Sequence, residues 1–403
     1  MARYFFSYAG IDRPLAAQIV TGLQGAGVDV FWDSSKDGIG WGVNWIDKLA
    51  NELENCDAYI LLLGPQGVRR WVKPELQAAL CRHFEEAPPF PLFILLHSDV
   101  DRKDIPLFLN FSQHRSLPVE LDDPNFFSTL VRELQQITGD VPLQTEELPE
   151  GFCPYPGLES FTKDYDKYFF GRQRETVELL TTFSLGGSGH LQRWLQIEGN
   201  SGIGKSSLVQ SGVLPAIRAG WLDEGSQRNR WYIAIMRPGN DPCENLAAQL
   251  RSILATVAPS DFAADIEKIR DFRNSNPRDL VFALKSALPA SSNRRFLLVV
   301  DQLEEVITLT TESKCRERFD TLLANAINER DCPFYLITTI RSDFMLHFSE
   351  VPKLQEVLQQ SMRYFLKPIG RIGLKDAVET PLRRAKGWTW PLETTYHQPK
   401  NRS

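Results

Sequence analysis

At 403 residues the chain is long enough for two or three domains, each with a core of its own. Its apolar and charged fractions, 42% and 24%, are those of ordinary globular protein, and no segment reaches the length needed to span a bilayer. A net charge of −6 argues against a general nucleic-acid or anionic-membrane surface, and six scattered cysteines without a CxxC pair or a histidine at ligand spacing point to structural thiols rather than disulfides or zinc.

Residues 1–139 alternate strand-like and helix-like blocks as a doubly wound sheet requires. Arg3-Tyr4-Phe5-Phe6-Ser7 reads as a first strand, after a start, Met1 to Gly10, with too short an apolar run for a signal peptide. Ile11 to Gly25 has helical apolar spacing at Leu15, Ile19, Val20 and Leu23. Val28 to Asp33 is a second strand, followed by a polar, glycine-studded loop from Ser34 to Gly42. Further along come a helix at Trp45 to Leu53, a buried strand at Ala58 to Leu63, and a helix at Pro74 to His83. A strand at Pro91 to Leu96 and a closing helix at Phe126 to Ile137 complete the region.

The segment 140–152 and its flanks change character, with Pro142, Pro149, Pro154, Pro156 and the acidic pair Glu146-Glu147, and read as an interdomain linker. A second α/β region, 153–387, follows. It opens with a helix at Gln173 to Phe183 and a strand at Trp194 to Glu198. The stretch Gly199-Asn200-Ser201-Gly202-Ile203-Gly204-Lys205-Ser206 then fits GxxxxGK[ST] at every fixed position, between that strand and a helix beginning Ser207-Leu208-Val209. Gly199, Gly202 and Gly204 let successive backbone N–H groups turn inward around phosphates. Lys205 brings a charge to the outer phosphates, and the Ser206 hydroxyl is a ligand for Mg²⁺. A strand at Trp231 to Met236 and helices at Glu244 to Val257 and Asp279 to Leu288 are expected next.

Phe296 to Val300 is a continuous apolar run ending in Asp301, the way a fully buried parallel strand presents a Mg²⁺-organising carboxylate. Glu304 and Glu305 follow: either one of them activates water or both simply begin a helix. Phe334 to Ile340 is another buried strand tipped by Arg341, which reads equally as a sensor of the terminal phosphate or as half of a surface salt bridge. The last residues, 388–403, lose apolar periodicity and read as an unpacked tail.

Four stretches of the second region occur in an order that resembles the NTPase core of the STAND class, in the branch called novel STAND type 1. They are Cys153-Pro154-Tyr155-Pro156-Gly157-Leu158 through Gly171-Arg172, the phosphate loop, Val300-Asp301-Gln302-Leu303-Glu304-Glu305, and Ile340-Arg341-Ser342-Asp343-Phe344. The resemblance implies an ATP- and Mg²⁺-dependent signalling switch whose closed cores self-associate. Gly171 and Arg172 would lie near the adenine or ribose, Pro368 against the base, and Ser207 beside the phosphates. Members usually continue into a winged helix and sensor repeats, and the segment from Gly373 to Gly387 is followed by no such pattern, which implies a truncated product or sensing delegated to another chain.

The first region resembles a TIR domain. The likeness lies in Phe5-Phe6-Ser7-Tyr8-Ala9-Gly10-Ile11-Asp12, Val30-Phe31-Trp32-Asp33, Ile60 to Pro65, and Trp71-Val72-Lys73-Pro74-Glu75-Leu76. A TIR domain is a flavodoxin-like doubly wound sheet that either cleaves NAD⁺ at the nicotinamide bond or only self-associates. The leaving group in NAD⁺ is already a cationic pyridinium, so one carboxylate beside the ribose meets the chemical demand. By resemblance that carboxylate is Glu75, with Trp71 walling the pocket and Ser7, Tyr8 and Gly40 near the substrate. Residue types alone leave another reading open: Pro74 fits the first turn of a helix, and a glutamate after it is favoured by the helix dipole. The expectation is a cytoplasmic signalling or defence protein in which ATP clusters the chains and clustered TIR domains hydrolyse NAD⁺. Other TIR proteins are possible partners. The alternative is a non-catalytic TIR adaptor with a slow ATPase switch. Neither reading involves nucleic acid or membrane.

Overall fold

The computed structural model describes residues 2–32, 52–65, 73–86, 89–100, 105, 109, 112–118, 121, 124–136, 146–147, 152–157, 159–184, 192–222, 230–257, 272, 276–289, 293–359 and 361–386. Among them are two five-stranded sheets, parallel throughout.

The first sheet is built from β1 (Arg3–Tyr8), β2 (Asp29–Trp32), β3 (Ala58–Leu63), β4 (Leu92–Leu96) and β5 (Gln113–Ser116), in the order β2-β1-β3-β4-β5. This is the flavodoxin-like order, whose reversal between β1 and β3 leaves a crevice at the carboxyl ends of those strands. Side chains alternate across the sheet. Tyr4, Phe6, Ile60 and Leu62 pack on α1 (Arg13–Gly25) and α3 (Pro124–Gln135), through Ile19, Leu23 and Leu130. Phe5, Tyr59, Leu61 and Ile94 face the other way, onto Leu76, Ala79 and Leu80 of α2 (Lys73–Glu85). The buried strands read correctly from sequence because both faces are apolar. Strand β5, Gln-His-Arg-Ser, carries no such signal and was not anticipated.

The second sheet runs β11-β7-β10-β9-β8, with β7 Trp194–Gly199, β8 Arg230–Met236, β9 Arg294–Val300, β10 Phe334–Arg341 and β11 Met362–Phe365. Strand β10 therefore lies between the phosphate-loop strand and the strand that ends at Asp301, and it supplies groups to both. Helix α4 (Gln173–Ser184) covers one face through Val177, Leu180 and Phe183. On the other face α5 (Pro242–Val257), α6 (Asp279–Ala287), α7 (Ser313–Asn328) and α8 (Pro352–Leu358) pack through Leu246, Leu284, Phe319 and Leu354. A last helix, α9 (Arg371–Arg384), leads into β12 (Ala385–Lys386), which pairs in parallel with β6 (Glu146–Glu147). The stretch expected to be only a linker thus contributes a two-residue strand. Helix α2 of the first domain packs against α4 of the second, so the apolar layer beneath Glu75 is continuous with the one beneath the second sheet.

Candidate functional site

At the end of β7 the backbone turns through Gly202 and Gly204, whose φ values of 73° and 95° belong to the left-handed region that glycine enters at little cost. A Cβ on Gly199 would press on the Leu366 carbonyl at 3.1 Å and on Ile203 at 3.2 Å. Lys205 is buried, and its ammonium donates to the carbonyls of Gly199 and Asn200, 2.8 Å each. Burial lowers its pKa, while the nearby Glu304 and Asp301 charges act in the opposite sense. The Ser206 hydroxyl donates to Asp301 Oδ1 at 2.6 Å, and the Thr339 hydroxyl of β10 donates to the same oxygen at 2.7 Å. Thr339 Oγ1 also accepts the Gln302 N–H at 2.9 Å. Gln302, at φ 62°, is the one non-glycine residue in the left-handed region among the described residues, and it directly follows Asp301. Asp301 Oδ2 faces the Arg237 guanidinium at 3.5 Å.

The two glutamates that the sequence left equivalent are separated here. Glu305 Oε2 accepts the Gly239 N–H at 2.9 Å, which ties down the turn after β8. Glu304 is buried, accepts the Arg341 N–H at 3.3 Å, and has its pKa raised by desolvation. Arg341 makes a two-pronged pair with Asp343, 2.7 and 3.1 Å, so the salt-bridge arrangement is the one adopted in this structure. The Ser207 hydroxyl accepts the Phe161 N–H at 3.1 Å and so joins the loop to the segment before it.

Gly171 and Arg172 meet the phosphate loop from the other side. Arg172, almost wholly buried, donates to the Ile203 carbonyl at 3.1 Å and the Lys367 carbonyl at 3.0 Å, and pairs with Glu175 at 2.5 Å. Pro368, next in the chain to Lys367, is exposed beside this clasp. Gly171 (φ 84°) lies so close to α9 that a Cβ there would stand 2.1 Å from the Gly373 carbonyl, and its N–H donates to Asp376 at 3.1 Å.

These residues fit a magnesium triphosphate. Ser206 and Asp301 offer hard oxygen donors, the choice of Mg²⁺. The glycine turn leaves backbone N–H groups free of side-chain bulk, and Lys205 stands at the first turn of the following helix. Sequence reasoning missed Thr339 and Arg237. A threonine one strand away from Asp301 has no motif spacing to announce it, and Arg237 follows a strand whose partner was not known.

In the first domain Ser7, buried at the end of β1, donates its hydroxyl to Glu75 Oε2 in the first turn of α2. Tyr59 of β3 is wholly buried beside them, and burial, then the Glu75 charge, push its phenol well above the ordinary range. Tyr8 stacks at a tilt on Trp32, centroids 5.8 Å apart. At the end of β3 the missing side chain of Gly64 makes room for the Asp12 carboxylate, 2.1 Å from where a Cβ would stand. Ser7, Glu75 and Tyr59 thus lie together on the α2 face of the sheet, while Asp12 stands apart from them at the end of β3, against Gly64. Asp12 and Tyr59 were not anticipated. Gly40 and Trp71, expected near a substrate, lie outside the described residues.

A family model described as novel STAND NTPase 1 matches residues 154–395, and one described as TIR domain matches residues 5–134. No curated protein matches the chain.

Proposed function

We propose that this chain, which belongs to the novel STAND NTPase 1 family and carries a TIR domain ahead of that core, is an ATP-switched signalling or defence protein whose clustered TIR domains hydrolyse NAD⁺. The observation that carries the nucleotide half is the Ser206–Asp301 bond at the strand-to-helix junction, with Thr339 on the same oxygen. Bound Mg²⁺ would neutralise charge between the outer phosphates. Ser206 and Asp301 are the groups to hold it, Lys205 would exchange its two carbonyl partners for phosphate oxygens, and Glu304 would orient the attacking water. Self-association through both domains follows from this reading.

In the TIR domain the proposed step breaks the C1′–N bond of NAD⁺. The bonding pair leaves with the nicotinamide nitrogen, water oxygen adds at C1′, and one proton is released with ADP-ribose. Glu75 would steady the positive charge developing at the ribose, and Ser7 would orient it. The alternative, a TIR adaptor without catalysis, draws on the contact between α2 and α4, which gives Glu75 a place in a structural helix at the domain junction.

The test is nicotinamide release by the purified chain at high concentration, with and without Mg²⁺ and ATP. ATP-stimulated release is expected, with a loss of about a thousandfold in Glu75→Ala. No turnover, with Glu75→Ala indistinguishable from wild type, would end the enzymatic reading and leave the adaptor.

A further inference from the structure

The two oxygens of Asp301 are treated differently. Oδ1 accepts two neutral hydroxyls, whereas Oδ2 looks onto the guanidinium of Arg237, 3.5 Å away. Asp301's side chain is 4% exposed and that of Arg237 56% exposed. Such a half-solvated pair stabilises a fold little. Yet the backbone beneath Arg237 is held at several points. Asn245 donates to the carbonyls of Arg237 and Pro238 at 3.3 and 2.9 Å. The Gly239 N–H goes to Glu305, and the Thr310 hydroxyl donates to the Gly239 carbonyl at 3.2 Å. Asp241 Oδ1 accepts the Glu244 N–H at 3.1 Å and the Cys315 thiol at 3.2 Å. The result is a fixed pivot carrying a long, solvent-accessible cation.

Three cations surround the site, and their partners differ. Lys205 is satisfied by two carbonyls within the phosphate loop, and Arg341 by Asp343. Arg237 is paired with the carboxylate a metal would need, and among the described residues it has no other ion pair. A divalent cation at Asp301 would repel the guanidinium, while a terminal phosphate nearby would attract it. Arginine suits that exchange, because its planar fork grips carboxylate or phosphate with two parallel hydrogen bonds.

We propose that Arg237 is a specificity-determining residue of the nucleotide site: it shields Asp301 until Mg²⁺ arrives, gives up Oδ2, and turns to the terminal phosphate of a nucleoside triphosphate. This rests on the nucleotide-binding reading above. Glu305 then acts as an anchor for the Arg237 turn, which accounts for its bond to Gly239.

Calorimetry of the full chain with ATP and with ADP, over a range of Mg²⁺ concentrations, tests it in wild type, Arg237→Gln and Arg237→Lys. Loss of one charged contact to phosphate is expected to lower the ATP-to-ADP affinity ratio about tenfold in Arg237→Gln. The Mg²⁺ concentration for half-maximal ADP binding should fall about twofold, because nothing competes with the metal for Asp301. Arg237→Lys keeps the wild-type Mg²⁺ midpoint and regains only part of the preference for ATP. The turn is pinned through backbone atoms that these variants retain, so the fold is preserved. A wild type that takes up no nucleotide overturns the parent reading. A wild type that binds while Arg237→Gln keeps its ATP-to-ADP ratio overturns this inference alone.

Discussion

Each domain hangs a serine hydroxyl on a carboxylate at the carboxyl end of a parallel sheet, and the two arrangements are near mirror images in chain order. In the NTPase domain the serine opens a helix and the carboxylate ends a strand; in the TIR domain Ser7 ends a strand and Glu75 opens a helix. Asp301 is approached from three separate elements, by Ser206, Thr339 and Arg237. Glu75 takes the Ser7 hydroxyl, and the segment 66–72 that leads into its helix lies outside the described residues. In both sites a hydroxyl from another element sets the carboxylate's aim, as the chemistry proposed for each requires: one carboxylate has to organise a metal, the other has to face a developing cation on a sugar.

The comparison breaks most easily at Gly171. An alanine there meets both a left-handed φ and a backbone carbonyl 2.1 Å from its Cβ, which a side-chain shift does not relieve. Gly171→Ala should cost about 3 kcal/mol and loosen α9 from the phosphate-loop side, measured by denaturant unfolding. Gly202→Ala is the control: its φ is also positive, but nothing lies within 4 Å of the added methyl, so about 1 kcal/mol of backbone strain is the whole effect.

Lys205→Ala asks whether the sites are joined. Nucleotide affinity should fall about a hundredfold by calorimetry. If α4 and α2 transmit the nucleotide state, ATP-stimulated nicotinamide release falls with it; unchanged stimulation would make the two sites independent. Ser7→Ala is gentler. It removes the hydroxyl that aims Glu75 but leaves the carboxylate, so turnover should drop about tenfold with little change in KM for NAD⁺. A rise in KM with turnover intact would place Ser7 in substrate binding.

Much of this is legible in the sequence itself, for reasons that differ by element. The central strands are apolar on both faces, and runs such as Ala58–Leu63 and Phe296 to Val300 announce themselves. Two of the four edge strands of the five-stranded sheets do not: β5 and β11 are four residues each, carry charge in place of a continuous apolar run, and are strands only because a neighbour supplies the ladder. The edge strands β2 and β8 keep enough apolar and aromatic residues to be read. The same holds for Glu146–Glu147, whose pairing with Ala385–Lys386 joins residues more than two hundred positions apart. At the nucleotide site the phosphate loop and Asp301 were visible because their chemistry fixes local spacing. Thr339 and Arg237 were not, since they reach Asp301 across neighbouring strands, and strand order cannot be read along the chain.

Glu304 sharpens the comparison through pH. Burial raises its pKa above that of an exposed carboxylate, so the fold favours its neutral form. In the unfolded chain the group ionises at the ordinary, lower value. The stability it contributes is therefore fully present below that unfolded value and is lost as pH rises through the raised folded one. At neutral pH the ionised group is a net cost, partly offset by the Arg341 N–H and by the charges of Lys205 and Arg341. Glu304→Gln should then stabilise the protein by about 1 kcal/mol at neutral pH, the usual sign when a strained functional group is neutralised. The gain should shrink toward zero well below the ordinary carboxylate range, where the wild-type side chain is itself neutral. If Glu304 orients water, ATP hydrolysis falls in the same variant while ATP affinity holds. Equal unfolding midpoints for variant and wild type across that pH range would mean that the buried carboxylate is already compensated, and that the NTPase site stores no more strain than the Ser7–Glu75 pair.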